Sequence, residues 1–181
     1  ASRFQWLVIA SQGYVSIKDD SYVRLMNYWL NDWSKNNPIN QGVNWKCGQE
    51  VSFRVINLLV SVYILGEYKV PEASLVLLVK EHCRRISTTL HYAVAQDNNH
   101  GTSEAAALFI AGSWLHSIGQ SNSKSNRWLK RGRIGLEERV NHLVMNDGTF
   151  SQYSTNYHRL FLDSMSLVEF FRIKFKQNQF S

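Results

Sequence analysis

The chain reads as all-α, a run of antiparallel helical hairpins. Three observations carry that reading. Apolar residues recur at three- and four-residue steps along most of the 181 residues. No stretch of any length alternates apolar and polar residues as a half-buried strand would. The breaks between periodic segments are short and rich in Asn, Gly, Ser and Pro, and short connections make neighbouring helices antiparallel.

The segments follow in order. Residues 1–18 are ambiguous, because Phe4 to Ile9 suits either a helix end or a short strand. From Ser21 to Trp33, Tyr22, Leu25, Met26, Trp29, Leu30 and Trp33 mark one helical face, and Asn36-Asn37-Pro38 stops it. Gly42 to Trp45 is a loop. A long helix then runs from about Cys47 to Leu65, with Val51, Val55, Leu58, Leu59 and Val62 inward and Gly66 as its C-terminal cap. Glu50 and Arg54 are four apart on it, a spacing that predicts an ion pair. Pro71 opens a helix from about Glu72 to Leu90, with Leu75, Leu78, Val79, His82 and Ile86 inward.

Gln96 to Glu104 is a polar run between two apolar patterns. Asn98, Asn99 and His100 are expected on a tight loop, with Thr102 or Ser103 capping a helix from about Ser103 to Ser117. The Ala-rich face of that helix allows close approach by a neighbour. A further helix over about Asn126 to Met145 has break points at Gly132 and Gly135. Asn146-Asp147-Gly148-Thr149 is a turn signal, Phe150 to Asn156 reads as extended, and a last helix takes Tyr157 to Lys174.

Composition bounds the function. The net charge is +6, which favours polyanions such as nucleic acid, anionic lipid or acidic polysaccharide. No helix-turn-helix or RNA-recognition pattern supports nucleic acid, and none is expected as a partner. The basic run from Arg127 to Arg133 suits a solvated helix end. Aromatic residues make up 13% of the chain, enough for some to line a sugar-binding groove as well as the core. Cys47 and Cys83 lack metal-ligand spacing and read as buried thiols, so no metal site is expected. Trp6 to Ala10 is too short to span a membrane, and no membrane span is expected here.

Four segments, in order, carry a resemblance. Asn44-Trp45-Lys46-Cys47-Gly48-Gln49-Glu50 runs into the Arg54-bearing helix; Asn98-Asn99-His100 precedes an Ala-rich helix; Asn146 to Phe150 is followed by Gln152; and Tyr157-His158-Arg159 opens the last helix. Together they resemble the heparinase II/III and alginate lyase superfamily of polysaccharide lyases over about Trp29 to Phe171. The resemblance implies an incomplete (α/α)n toroid. It makes residues 1–181 a single toroid fragment without the family's C-terminal β-sandwich domain. It also implies a periplasmic or cell-envelope setting and an acidic polysaccharide as partner.

The implied chemistry is β-elimination beside a uronate carboxylate. Charge develops next to that carboxylate when the C5 proton leaves, so the site must hydrogen-bond or neutralise it. Amide and imidazole donors can do this with no cofactor. By the resemblance Asn99, His100, Tyr157 and His158 are the catalytic candidates. Asn99 holds the carboxylate with His100 beside it, and Tyr157 serves as base, acid or both. A free phenol's pKa of about 10 means the base role requires cationic neighbours, which His100, His158 and Arg159 could supply. Trp45, Gln49, Arg54, Asn98 and Arg159 are the substrate-binding candidates. Two rival readings remain open at this point. A glycoside hydrolase would need two carboxylates across the bond, from among Glu50, Asp97, Glu104 and Asp147. A non-catalytic assembly protein of a surface-polysaccharide pathway would hold the glycan without cleaving it.

Overall fold

The computed structural model describes residues 2–181. Its helices are α1 (Gln5–Ile17), α2 (Ser21–Asn36), α3 (Gly48–Leu65), α4 (Ala73–Ala95), α5 (Asn99–Ser117), α6 (Ser123–Leu143) and α7 (Thr155–Lys174). A single 3-10 turn, Val43–Trp45, leads into α3. Among the described residues the β structure is one isolated bridge, Val144 with Phe150.

Packing gives the arc of a toroid. Helices α1, α3, α5 and α7 lean on one another in sequence, while α2 lies against α1, α4 against α3 and α5, and α6 against α5. Each short connection reverses the chain, so α3, α5 and α7 run in one direction. Their N-termini share one edge of the arc, and side chains confirm the alignment. Glu104 near the start of α5 lies against Gly48 at the start of α3. Gln152, ahead of α7, bonds the Asn99 backbone at the start of α5.

Helix α5 is the axis of the packing. Every residue from Gly101 to Leu115 is buried. A helix apolar on all sides must be covered on all sides, and α3, α4, α6 and α7 all touch it. Each fully buried Leu, Ile or Phe there contributes roughly 1.5–3 kcal/mol. The Trp114 indole is wholly enclosed and donates to the Tyr68 carbonyl at 2.9 Å, so its one polar group is satisfied.

The glycines of α6 explain why the expected break is absent. A Cβ on Gly132 would come within 2.5 Å of the Phe109 backbone nitrogen, and one on Gly135 within 3.1 Å of the Ala105 Cβ. These residues let α6 press against the Ala-rich face of α5; they do not interrupt the helix.

Other expectations are also corrected. The ambiguous N-terminal segment is helical, and its Leu7, Ala10 and Ser11 are buried. Helix α5 begins at Asn99, four residues before Ser103, because Asn98 caps it: its Oδ1 accepts from the His100 N–H at 2.9 Å. The segment after Phe150 is a turn leading into α7, whose cap is Ser154. Cys83 is buried as expected, but Cys47 is only half-buried, and both are free thiols.

The Glu50–Arg54 pair does not form. Glu50 takes a bidentate bond from Arg3 at 2.6–3.0 Å. Arg54 is wholly enclosed and points the other way. Its guanidinium donates to His82 Nε2 at 3.2 Å and to the carbonyls of Ser2 and Asn44. The rings of Trp33, Trp45 and Phe4 surround it, with centroids 5.0, 5.4 and 6.0 Å away. Helix α3 has the length and the mean hydropathy, 1.2, of a membrane span. Its buried arginine and its place between α1, α4 and α5 make it a core helix instead.

Candidate functional site

The edge where α3, α5 and α7 begin carries the polar corner singled out by the sequence. Each helix start presents unpaired N–H groups and about half a unit of positive charge. Three side by side favour an anion in the space they face.

Asn98 is half-buried and occupied as a cap. Asn99 is buried, and its backbone is bonded at both ends. Its N–H donates to Gln152 Oε1 at 3.2 Å, and its carbonyl accepts from Ser103 Oγ at 3.0 Å. Ser103 Oγ in turn accepts from Gln49 Nε2 at 3.3 Å, which ties α3 to α5. His100 is half-buried, and burial holds its imidazole below the ordinary value against a weaker opposing pull from Glu50. At neutral pH it is therefore uncharged, a ring with one N–H donor and one acceptor.

Tyr157 opens the first turn of α7 and is exposed. His158 turns away from it and stacks on Phe150, with centroids 5.6 Å apart and planes 9° from parallel. Arg159 is exposed and 3.8 Å from Asp163. Gln152 supplies the link between the two clusters, since it sits five residues before Tyr157 and holds Asn99 directly.

Three substrate-binding candidates, Gln49, Trp45 and Arg54, lie inside the molecule, Gln49 with its Nε2 on Ser103 Oγ. Trp45 is buried, its ring 4.6 Å from that of His82 and its Nε1 bonded to the Asn37 carbonyl. Arg54 is enclosed as described. Both shape the loop ahead of α3 from within and present no surface of their own to a glycan. His82 completes that cluster. Its Nδ1 lies 2.8 Å from the Leu78 carbonyl, so the proton belongs there and Nε2 is free to accept from Arg54. Burial and the Arg54 charge push its pKa down to about 3.

Further residues at this edge lie outside the lyase candidates, Glu104 and Asp97 being named in the sequence only as carboxylates for a hydrolase. Glu104 is buried, one turn beyond His100, with Oε2 unpartnered, and burial raises its carboxyl to about 8 against a smaller opposing effect of Arg85. Arg85 itself bonds the carbonyls of Trp45 and Lys46 at 2.8 and 2.7 Å, holding the loop that delivers Gln49. Asp97, Arg139 and His142 form a cluster beneath the corner. Among the described residues no group of three His, Cys, Asp or Glu side chains could hold a metal ion.

A family model described as Heparinase II/III N-terminus matches residues 1–180. The chain belongs to that heparinase II/III N-terminal family. Membership places it among polysaccharide-lyase-like proteins and accounts for the helical arc. No curated protein and no solved structure matches the chain. In this heparinase II/III N-terminal domain the four sequence segments of the resemblance converge on the edge formed by the starts of α3, α5 and α7. The signal for Glu104 was its place in an otherwise apolar helix stretch, one turn after His100. Arg139 and His142 had only a three-residue spacing on one helix, with nothing to name Asp97 as their partner.

Proposed function

We propose that this domain supplies the helical wall of a polysaccharide lyase acting on a uronate-containing acidic polysaccharide. The supporting observation is the Asn99–Gln152 bond. It joins the Asn98-Asn99-His100 corner to the loop that leads into Tyr157, on an edge where three helix N-termini favour an anion.

In the proposed reaction the uronate carboxylate lies against Asn99 and the neutral His100 ring. Hydrogen bonds to that carboxylate stabilise the charge that spreads onto it as the C5 proton leaves. Tyr157 takes the C5 proton and returns it to the departing O4. The C5–H bond breaks, the C4=C5 double bond forms, the C4–O4 bond breaks, and O4 leaves protonated. His158, stacked on Phe150, supports the start of α7 from the side away from Tyr157. Arg159 faces the chain, Asn98 holds the start of α5 as its cap, and the buried Gln49 braces the corner through Ser103. Trp45 and Arg54 act from inside, by shaping the loop before α3.

The test uses the full-length protein with a panel of uronate polysaccharides and reads ultraviolet absorbance from the 4,5-unsaturated product. Wild-type protein produces the signal. Asn99→Ala and Tyr157→Phe remove it while circular dichroism stays helical. Full activity in both variants would overturn the site. Binding across the panel without unsaturated ends would favour the assembly reading, and cleavage of neutral glycans would favour the hydrolase.

A further inference from the structure

Asp97 is the residue immediately before the Asn98 cap, and its backbone is left-handed, φ +53°. Among non-glycine residues Asp and Asn adopt that conformation most readily, and here it is fixed by the surroundings. The support comes from α6. Arg139 Nη1 donates to Asp97 Oδ1 at 2.8 Å, and His142 Nε2 lies 2.7 Å from Asp97 Oδ2. Both carboxylate oxygens are therefore held by one face of one helix.

Arg139 is well placed to act as a fixed post. Its side chain is only 5% exposed, and it reaches Asp97 from beneath the corner. Glu138 holds its Nη2 at 3.0 Å, and the Val94 carbonyl lies 3.5 Å from Nη1. Its stem passes Gly101, where a Cβ would come within 3.2 Å of Arg139 Cδ. The first turn of α5 thus leaves room for the arginine that grips the residue ahead of it. A surface ion pair alone has little value. This one is anchored on a buried arginine and fixes a left-handed backbone residue, so its effect is geometric.

We propose that Asp97, Arg139 and His142 form a latch that fixes the backbone entering α5. By it Asn98, Asn99 and His100 present their polar groups in one arrangement. Asp97 and Arg139 are positioning residues: they act through the corner and do not touch substrate. Gln152 holds the same corner from the α7 side, so it is clamped between α6 and the loop before α7. This inference rests on the lyase reading for its catalytic consequence, but not for its structural one.

The experiment compares full-length wild type with Asp97→Ala and Asp97→Asn by amide hydrogen exchange and by steady-state kinetics of unsaturated product formation. Asparagine tolerates the left-handed conformation, so the second variant removes the charge while keeping the turn. In both variants the amides of residues 99–103 are expected to exchange at least about tenfold faster, while those of 105–115 stay protected. The kcat is expected to fall on the order of tenfold to a hundredfold with KM changed less than about threefold, as for a misplaced catalytic group. Asp97→Glu restores a carboxylate and recovers part of the kcat. Unchanged exchange at 99–103 in both variants would overturn the latch. Faster exchange there with unchanged kcat would overturn its catalytic role. If wild type forms no unsaturated product, the lyase reading fails, and the exchange result alone then decides whether the latch sets the corner.

Discussion

Glu104 offers a quantitative test of how the interior of this edge is built. Its carboxyl is buried against Gly48, with Oε2 unpartnered, and burial raises its pKa from 4.5 to about 8. The folded state therefore holds a proton that the unfolded chain releases above its ordinary pKa. Stability from this group is fully present below about pH 4.5 and is lost as pH rises toward 8. The slope is about 1.4 kcal/mol per pH unit, or roughly 5 kcal/mol across the window as an order of magnitude. His82 works in the opposite sense. Its folded pKa is pushed from 6.5 down to about 3, so its contribution is complete above 6.5 and is lost as pH falls. Between pH 4.5 and 6.5 the two slopes cancel. Between 6.5 and 8 only the Glu104 slope remains, a loss of about 2 kcal/mol. Glu104→Gln keeps the shape and removes the titration. Urea unfolding of wild type and variant at several pH values reads the difference. The variant gains relative to wild type by about 2 kcal/mol between pH 6.5 and 8. Parallel curves over that window would show that the carboxyl is not held protonated in the fold, and the account of its burial would be wrong.

Gly132→Ala places a Cβ 2.5 Å from the Phe109 backbone and is expected to cost about 1–3 kcal/mol of stability, read as a lower urea midpoint. Arg54→Lys loses the planar fork that bonds His82 and the Ser2 and Asn44 carbonyls together, and is expected to destabilise by about 1–3 kcal/mol. In the His82→Asn variant the loss of stability attributable to this site between pH 6.5 and 3 disappears, which a difference of urea curves against wild type measures. Nitrogen NMR of wild type at pH 7 is expected to show His82 neutral, with its proton on Nδ1.

The helical hairpins were legible because periodicity reports buried faces directly. Val51, Val55, Leu58, Leu59 and Val62 on α3 are all buried as their spacing predicts. Gly132 and Gly135 misled as break points, since a glycine that permits close packing and one that ends a helix look alike until the neighbour is known. Thr102 or Ser103 suits a cap and would start α5 late, but Asn98, next to the chemistry, performs the capping. Glu50 and Arg54 have pairing geometry on an isolated helix. Tertiary structure supplied Arg3 to one and an aromatic enclosure with His82 to the other. The Asn99 corner and Tyr157 were singled out through motif order. Their connection through Gln152, and the support from Asp97 and Arg139, depend on contacts between residues 42–53 positions apart that no local pattern encodes.

The mass of the product distinguishes elimination from hydrolysis. Full-length protein is incubated with a defined uronate oligosaccharide in oxygen-18 water, and the fragments are weighed. Elimination predicts a new non-reducing end one water lighter than a hydrolysis product, no solvent oxygen incorporated during cleavage, and loss of that product in Asn99→Ala. Fragments that carry a full water with oxygen-18 at the new end would contradict the account and point to hydrolysis.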